Sequence, residues 1–160
     1  MTSEDLEAFL GDRKGRRVAV LGIGSPIRHD DAVGLLIIDI LENSKLGDTL
    51  SIKTETVPES YTGTIRDFNP THVLMIDAAD FGGKVGESRV IPINLIGGVT
   101  VSTHSLPLNI FADFIRKSIH AKVALVGIQV INIDYGEGLT PDVEKGAYQV
   151  AELLKRILEK

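Results

Sequence analysis

The side chains of this sequence best placed to do chemistry are two adjacent carboxylates, a third acid and one imidazole. Asp30 and Asp31 follow the apolar run at residues 17–23, Asp77 ends the apolar run at 71–78, and His104 stands in Ser102-Thr103-His104-Ser105. Two carboxylates and an imidazole form an oxygen and nitrogen ligand set that suits zinc, nickel or a similar borderline ion. Three protein ligands also leave coordination positions open for a substrate. The candidate ligands are therefore Asp30 or Asp31, with Asp77 and His104. His29 sits beside the aspartate pair and is a candidate fourth contact. Each group has a plainer reading. An aspartate at a helix start is ordinarily a cap, which applies above all to Asp30, and His104 has the position of a cap for the helix after it. Asp77 is harder to read that way, because an acid closing an apolar strand is buried and needs a partner.

Other chemistries lack their residues. There is no cysteine, which excludes disulfides, thiolate metal sites and a cysteine nucleophile. Gly22-Ile23-Gly24 begins a dinucleotide fingerprint, but its third glycine position is Ile27. The helix start where a pyrophosphate would rest carries Asp30 and Asp31, which repel phosphate and attract a cation. No Gly-Lys-Ser/Thr, Gly-x-Ser-x-Gly or His-Glu-x-x-His occurs. With 17 basic against 22 acidic side chains the net charge is −5, and no basic stripe exists for nucleic acid.

The elements that must position the trio follow from hydrophobic spacing. Short apolar runs alternate with helical periods, the pattern of an α/β sandwich around a mostly parallel sheet. Residues 17–23 read as a first buried strand, and a helix opening at Asp30-Asp31 carries Val33, Leu36, Ile37, Ile40 and Leu41 on one face. Residues 50–57 alternate as a second strand nearer an edge, and 60–68 form a short helix stopped by Pro70. Residues 71–78 give a third strand and 88–91 a short edge strand ended by Pro92. Residues 105–119 are helical and 122–131 are the last buried strand. A closing helix starts at Thr140-Pro141, with Thr140 as N-cap. The glycine-rich stretch 81–98 is the one long irregular segment expected, a candidate lid. His72 and His120 are expected at the surface. In open parallel sheets ligands gather outside the carboxyl ends of strands, where the strand order reverses. Asp31, Asp77 and His104 all fall at such ends.

The length of 160 residues suits one domain over 1–160. The amino terminus is acidic and polar rather than a signal peptide, and no apolar segment reaches membrane-spanning length. A cytoplasmic protein without membrane insertion is expected.

Three stretches, in order, resemble a known family. Leu21-Gly22-Ile23-Gly24-Ser25-Pro26-Ile27-Arg28-His29-Asp30-Asp31-Ala32-Val33-Gly34 resembles the opening motif of the [NiFe]-hydrogenase maturation endopeptidases. Val73-Leu74-Met75-Ile76-Asp77-Ala78-Ala79-Asp80 resembles their second motif. Thr103-His104-Ser105-Leu106-Pro107-Leu108, with Gly127-Ile128-Gln129, is similar to the form that processes the large subunit of formate-hydrogenlyase-type hydrogenases (hydrogenase 3). Pro58-Glu59 also agrees. The chain departs from the family at Ser25, His29 and Ala32, where Asn, Gly and Gly are usual. The resemblance implies a twisted, mostly parallel five-stranded sheet between helices. It also implies an aspartyl-type endopeptidase that removes the carboxy-terminal extension of a large-subunit precursor once nickel is inserted. The family's metal-contacting residues carry over to Asp31, Asp77 and His104. The nickel is supplied by the precursor, and no organic cofactor is needed. Two other readings use the same residues: a non-catalytic checkpoint that binds nickel-loaded precursor, and a small-molecule metal-dependent hydrolase.

Overall fold

Strands buried on both faces need unbroken apolar runs, and three such runs make the centre of the sheet. In the computed structural model, which describes residues 1–101 and 106–159, β1 (Val18–Ile23) and β3 (His72–Ala79) are buried along their whole length. β5 (Lys122–Gln129) is buried over its last six residues. The sheet has five strands in the order β2-β1-β3-β5-β4, with β2 (Thr49–Glu55) and β4 (Ser88–Pro92) at the edges. All pairings are parallel except β4 with β5.

Alternation along the strands sorts side chains to the two faces. Val18, Val20, Leu74, Ile76, Val126 and Ile128 pack under α1 (Ser3–Leu10), α2 (Val33–Glu42) and α5 (Pro141–Leu158). Ala19, Leu21, Val73, Met75 and Leu125 pack under α3 (Thr62–Phe68) and α4 (Leu108–Ile119) through Ile65, Phe111 and Ile115. The result is the expected mostly parallel five-stranded sheet between helices. No helix among the described residues is long and apolar enough to cross a membrane.

Four local features differ from the sequence expectations. The acidic amino terminus forms α1, closed by a capping box between Thr2 and Asp5. Its Phe9 meets His72 edge-on at 5.4 Å and 85°, so His72 is buried rather than at the surface. Thr140 occupies the N-cap position of α5, yet its side chain makes no cap hydrogen bond; its hydroxyl donates to Asp30 instead. Finally, much of 81–98 is regular. It contains β4 and a 3-10 turn at Ile93–Gly98, and its first residues are tied down by Gln129, whose Oε1 accepts from Phe81 N at 2.9 Å and Gly83 N at 3.1 Å. His120, by contrast, is exposed at the end of α4, as expected.

Candidate functional site

From β1 the chain turns to β2 on one side, then returns across β1 to β3 on the other, so the strand order reverses between β1 and β3. That is where an open parallel sheet leaves a crevice at its carboxyl edge. Asp77 lies near the end of β3, fully buried, and alternation puts it on the same face as Val73 and Met75, the face covered by α4. Its Oδ1 accepts from Ala78 N at 2.8 Å. Asp31 sits in a 3-10 turn, His29–Ala32, that follows β1 and packs against β3. It is 1% exposed, and its Oδ2 accepts from Ser25 N at 2.8 Å. Two buried carboxylates thus flank the switch point. His104, the third member of the expected trio, lies with Ser102, Thr103 and Ser105 outside the described residues. Among the described residues no cluster of three or more acid or imidazole side chains is arranged to hold a metal ion.

The glycines of the first motif serve close packing rather than phosphate binding. Gly24 has φ 141°, and a Cβ there would lie 1.8 Å from the carbonyl oxygen of Asp31. A Cβ on Gly34 would lie 2.5 Å from Ile76 O and 2.8 Å from Ile23 O. The first turn of α2 therefore rests directly on the ends of β1 and β3, which brings Asp31 to the crevice.

The neighbours of Asp31 are structural. Asp30 is fully buried, and its carboxylate accepts from Ile131 N, Asn132 N, Thr140 N and the Thr140 hydroxyl at 3.2, 3.0, 2.7 and 2.9 Å. Such a set satisfies the carboxylate oxygens and pins the 131–140 loop onto the 3-10 turn. His29 takes the left-handed φ of 42°. Two bonds to the same loop hold it there: its N–H donates to Gly136 O at 2.9 Å, and Nδ1 meets Gly138 O at 3.0 Å. A Cβ on Gly136 would come within 2.2 Å of His29 Nε2, so the ring lies directly against that backbone. The imidazole expected as a possible fourth contact is hydrogen-bonded to the 136–138 loop. One acid stands out less in the sequence: Glu59, in the 3-10 turn Pro58–Tyr61 after β2, has a buried Oε2.

Comparison with known proteins places the chain among relatives of one family and fold. Residues 52–160 match the family model described as HycI, hydrogenase maturation protease. The chain is 28% identical over 137 residues to the hydrogenase 3 maturation protease of Escherichia coli K12, covering 85% of this chain and 87% of that one. It superposes on the crystal structure of a [NiFe] hydrogenase maturation protease HycI from Thermococcus kodakarensis KOD1 with a TM-score of 0.85 and 35% identity, over 96% of this chain and 97% of that one. The solution structure of an endopeptidase HycI from Escherichia coli gives a TM-score of 0.79 at 27% identity, over 88% and 90% of the two chains.

Proposed function

The chain belongs to the hydrogenase maturation protease family, and on that premise we propose that it removes the carboxy-terminal extension of a [NiFe]-hydrogenase large-subunit precursor after nickel insertion. It is a hydrolase of the endopeptidase class, which sets aside the checkpoint and small-molecule readings. The nickel belongs to the substrate. The precursor presents it on its own thiolates, and Asp31, Asp77 and His104 take the positions left open, docking the adjoining peptide bond. A chain without cysteine reads nickel in this way because carboxylate and imidazole complete a coordination sphere that the client's thiolates begin. The bound cation polarises the scissile carbonyl or lowers the pKa of a water, and either route fits hydrolysis. A carboxylate of the trio serves equally as general base for that water.

The observation that carries this reading is the burial of Asp31 and Asp77 at the carboxyl ends of neighbouring strands, on either side of the switch point. Buried acids are costly to a fold unless a hydrogen bond or a cation compensates them. The testing experiment is incubation of the purified chain with precursor loaded with nickel or stripped of it, followed by mass measurement of the product. The expected result is loss of a short carboxy-terminal peptide from the loaded form only. Equal cleavage of the stripped form contradicts nickel recognition, and an unchanged mass in both contradicts the protease reading.

A further inference from the structure

Gln129 closes β5 in the Gly127-Ile128-Gln129 stretch, and nothing in the proposed reaction uses it. It is 6% exposed, so its carboxamide must find partners inside the protein. It finds four. Oε1 accepts from Phe81 N at 2.9 Å and from Gly83 N at 3.1 Å, and Nε2 donates to Asp80 Oδ1 and to Val130 O, both at 3.1 Å. Two acceptor and two donor positions are the full capacity of the group, so none is left for a substrate.

Three of the four partners lie on 80–83, the loop that leaves β3 after Asp77. Asp80 Oδ1 also accepts from Gly82 N at 3.2 Å, so the carboxamide and that carboxylate hold the loop between them. The loop carries the segment 99–101 in its turn. Asp80 N donates to Val99 O at 2.8 Å, and Ala79 forms an isolated bridge with Thr100. Val101 precedes His104 by three residues in the sequence, a span of at most about 11 Å of chain. Gln129 is therefore joined through Asp80 both to the exit of the strand bearing Asp77 and to the stretch that leads to His104. A buried polar network with every member satisfied specifies one arrangement, where apolar packing tolerates several.

We propose that Gln129 is a positioning residue for cleavage: acting through Asp80 and residues 99–101, it sets where His104 stands relative to Asp77. This rests on the cleavage reading above and adds a residue to it. Because the carboxamide bonds only to the protein, its loss acts on turnover more than on recognition of the precursor.

The test uses the full chain and nickel-loaded precursor, with initial rates taken at a temperature below every melting transition. Gln129→Ala is expected to lower kcat about tenfold or more and to change KM by no more than about threefold. Leu10→Ala, which opens a cavity in the core beneath α1, is the control for lost stability. Its kcat is expected to stay within about twofold of wild type even where its melting temperature falls as far. Gln129→Glu keeps an acceptor for Phe81 and Gly83 but sets a carboxylate against that of Asp80, and is expected to lose as much kcat as Gln129→Ala. Adding Asp80→Asn returns a donor to the pair with its direction reversed. The double variant is expected to be about threefold faster than Gln129→Glu, or more. A kcat for Gln129→Ala within about twofold of wild type overturns the proposal, as does an equal loss in Leu10→Ala or a double variant no faster than Gln129→Glu. In each of those cases the wild type still cuts, so the cleavage reading stands. A wild type that leaves loaded precursor uncut overturns the cleavage reading, and the positioning role with it.

Discussion

Asp30 and Thr140, 110 residues apart in the chain, are joined by two hydrogen bonds to one carboxylate: Thr140 N to Oδ1 at 2.7 Å and Thr140 Oγ1 to Oδ2 at 2.9 Å. The acid that looks in sequence like a helix cap fastens the start of α5 to the turn carrying Asp31. Asp30→Ala removes the acceptor for three backbone N–H groups and a hydroxyl. The donors are partly buried and each hydrogen bond to a carboxylate is worth about 1.5–3 kcal/mol, so a total loss of about 3 kcal/mol or more is expected in urea unfolding. Thr140→Val, which removes only the hydroxyl, is expected to cost about 1 kcal/mol. A loss for Asp30→Ala no larger than that for Thr140→Val contradicts the clamp.

Gly24 offers a second test. A methyl group there is forced against the Asp31 carbonyl, and the backbone has a positive φ. Gly24→Ala is therefore expected to displace the Asp31 turn, cost about 2 kcal/mol or more, and abolish cleavage. Gly63, inside α3, has open space where a methyl group would go, with no atom within 4 Å, and its φ is not positive. Gly63→Ala is expected to stabilise by about 0.5–1 kcal/mol and leave cleavage unchanged. Thermal melting and rates on the two variants check the contrast.

His72 links stability to pH. Burial beneath α1, followed by the charges of Lys122 and Arg16, holds its imidazole below the ordinary value of 6.5. The unfolded chain therefore takes up the proton first as pH falls. The contribution is complete above 6.5 and is lost progressively below it, down to the lower folded value. His72→Phe keeps an aromatic partner for Phe9 and removes the titration. Its stability relative to wild type is expected to rise as pH is lowered from about 7.5 to about 5. A difference constant over that range contradicts the assignment.

How much of this is legible in the sequence depends on the range of the interaction. The strands at β1, β3 and β5 follow from their apolar runs. The edge character of β4 follows from Pro92, which cannot donate to a ladder. The burial of Asp77 follows from its place at the end of an apolar strand, whereas that of Asp31 does not, because a helix-start acid is ordinarily an exposed cap. The roles of Asp30 and His29 do not, because their partners, Thr140 and Gly138, are more than a hundred residues away and nothing local marks them. α1 escapes a reading by period because eight residues with only Leu6 and Leu10 fully buried give a weak helical signal. His72 reads as a surface residue for the same reason, since Phe9 of that helix is what covers it.

The central claim is that Asp31, Asp77 and His104 act together on the precursor's nickel. It is tested most directly by Asp31→Asn, Asp77→Asn and His104→Ala, each assayed separately by mass on nickel-loaded precursor, with melting curves alongside. Each Asn keeps the shape of the acid while removing its charge. The account predicts three chains that fold, melt cooperatively and leave the precursor uncut. Wild-type cleavage by any one of them contradicts it.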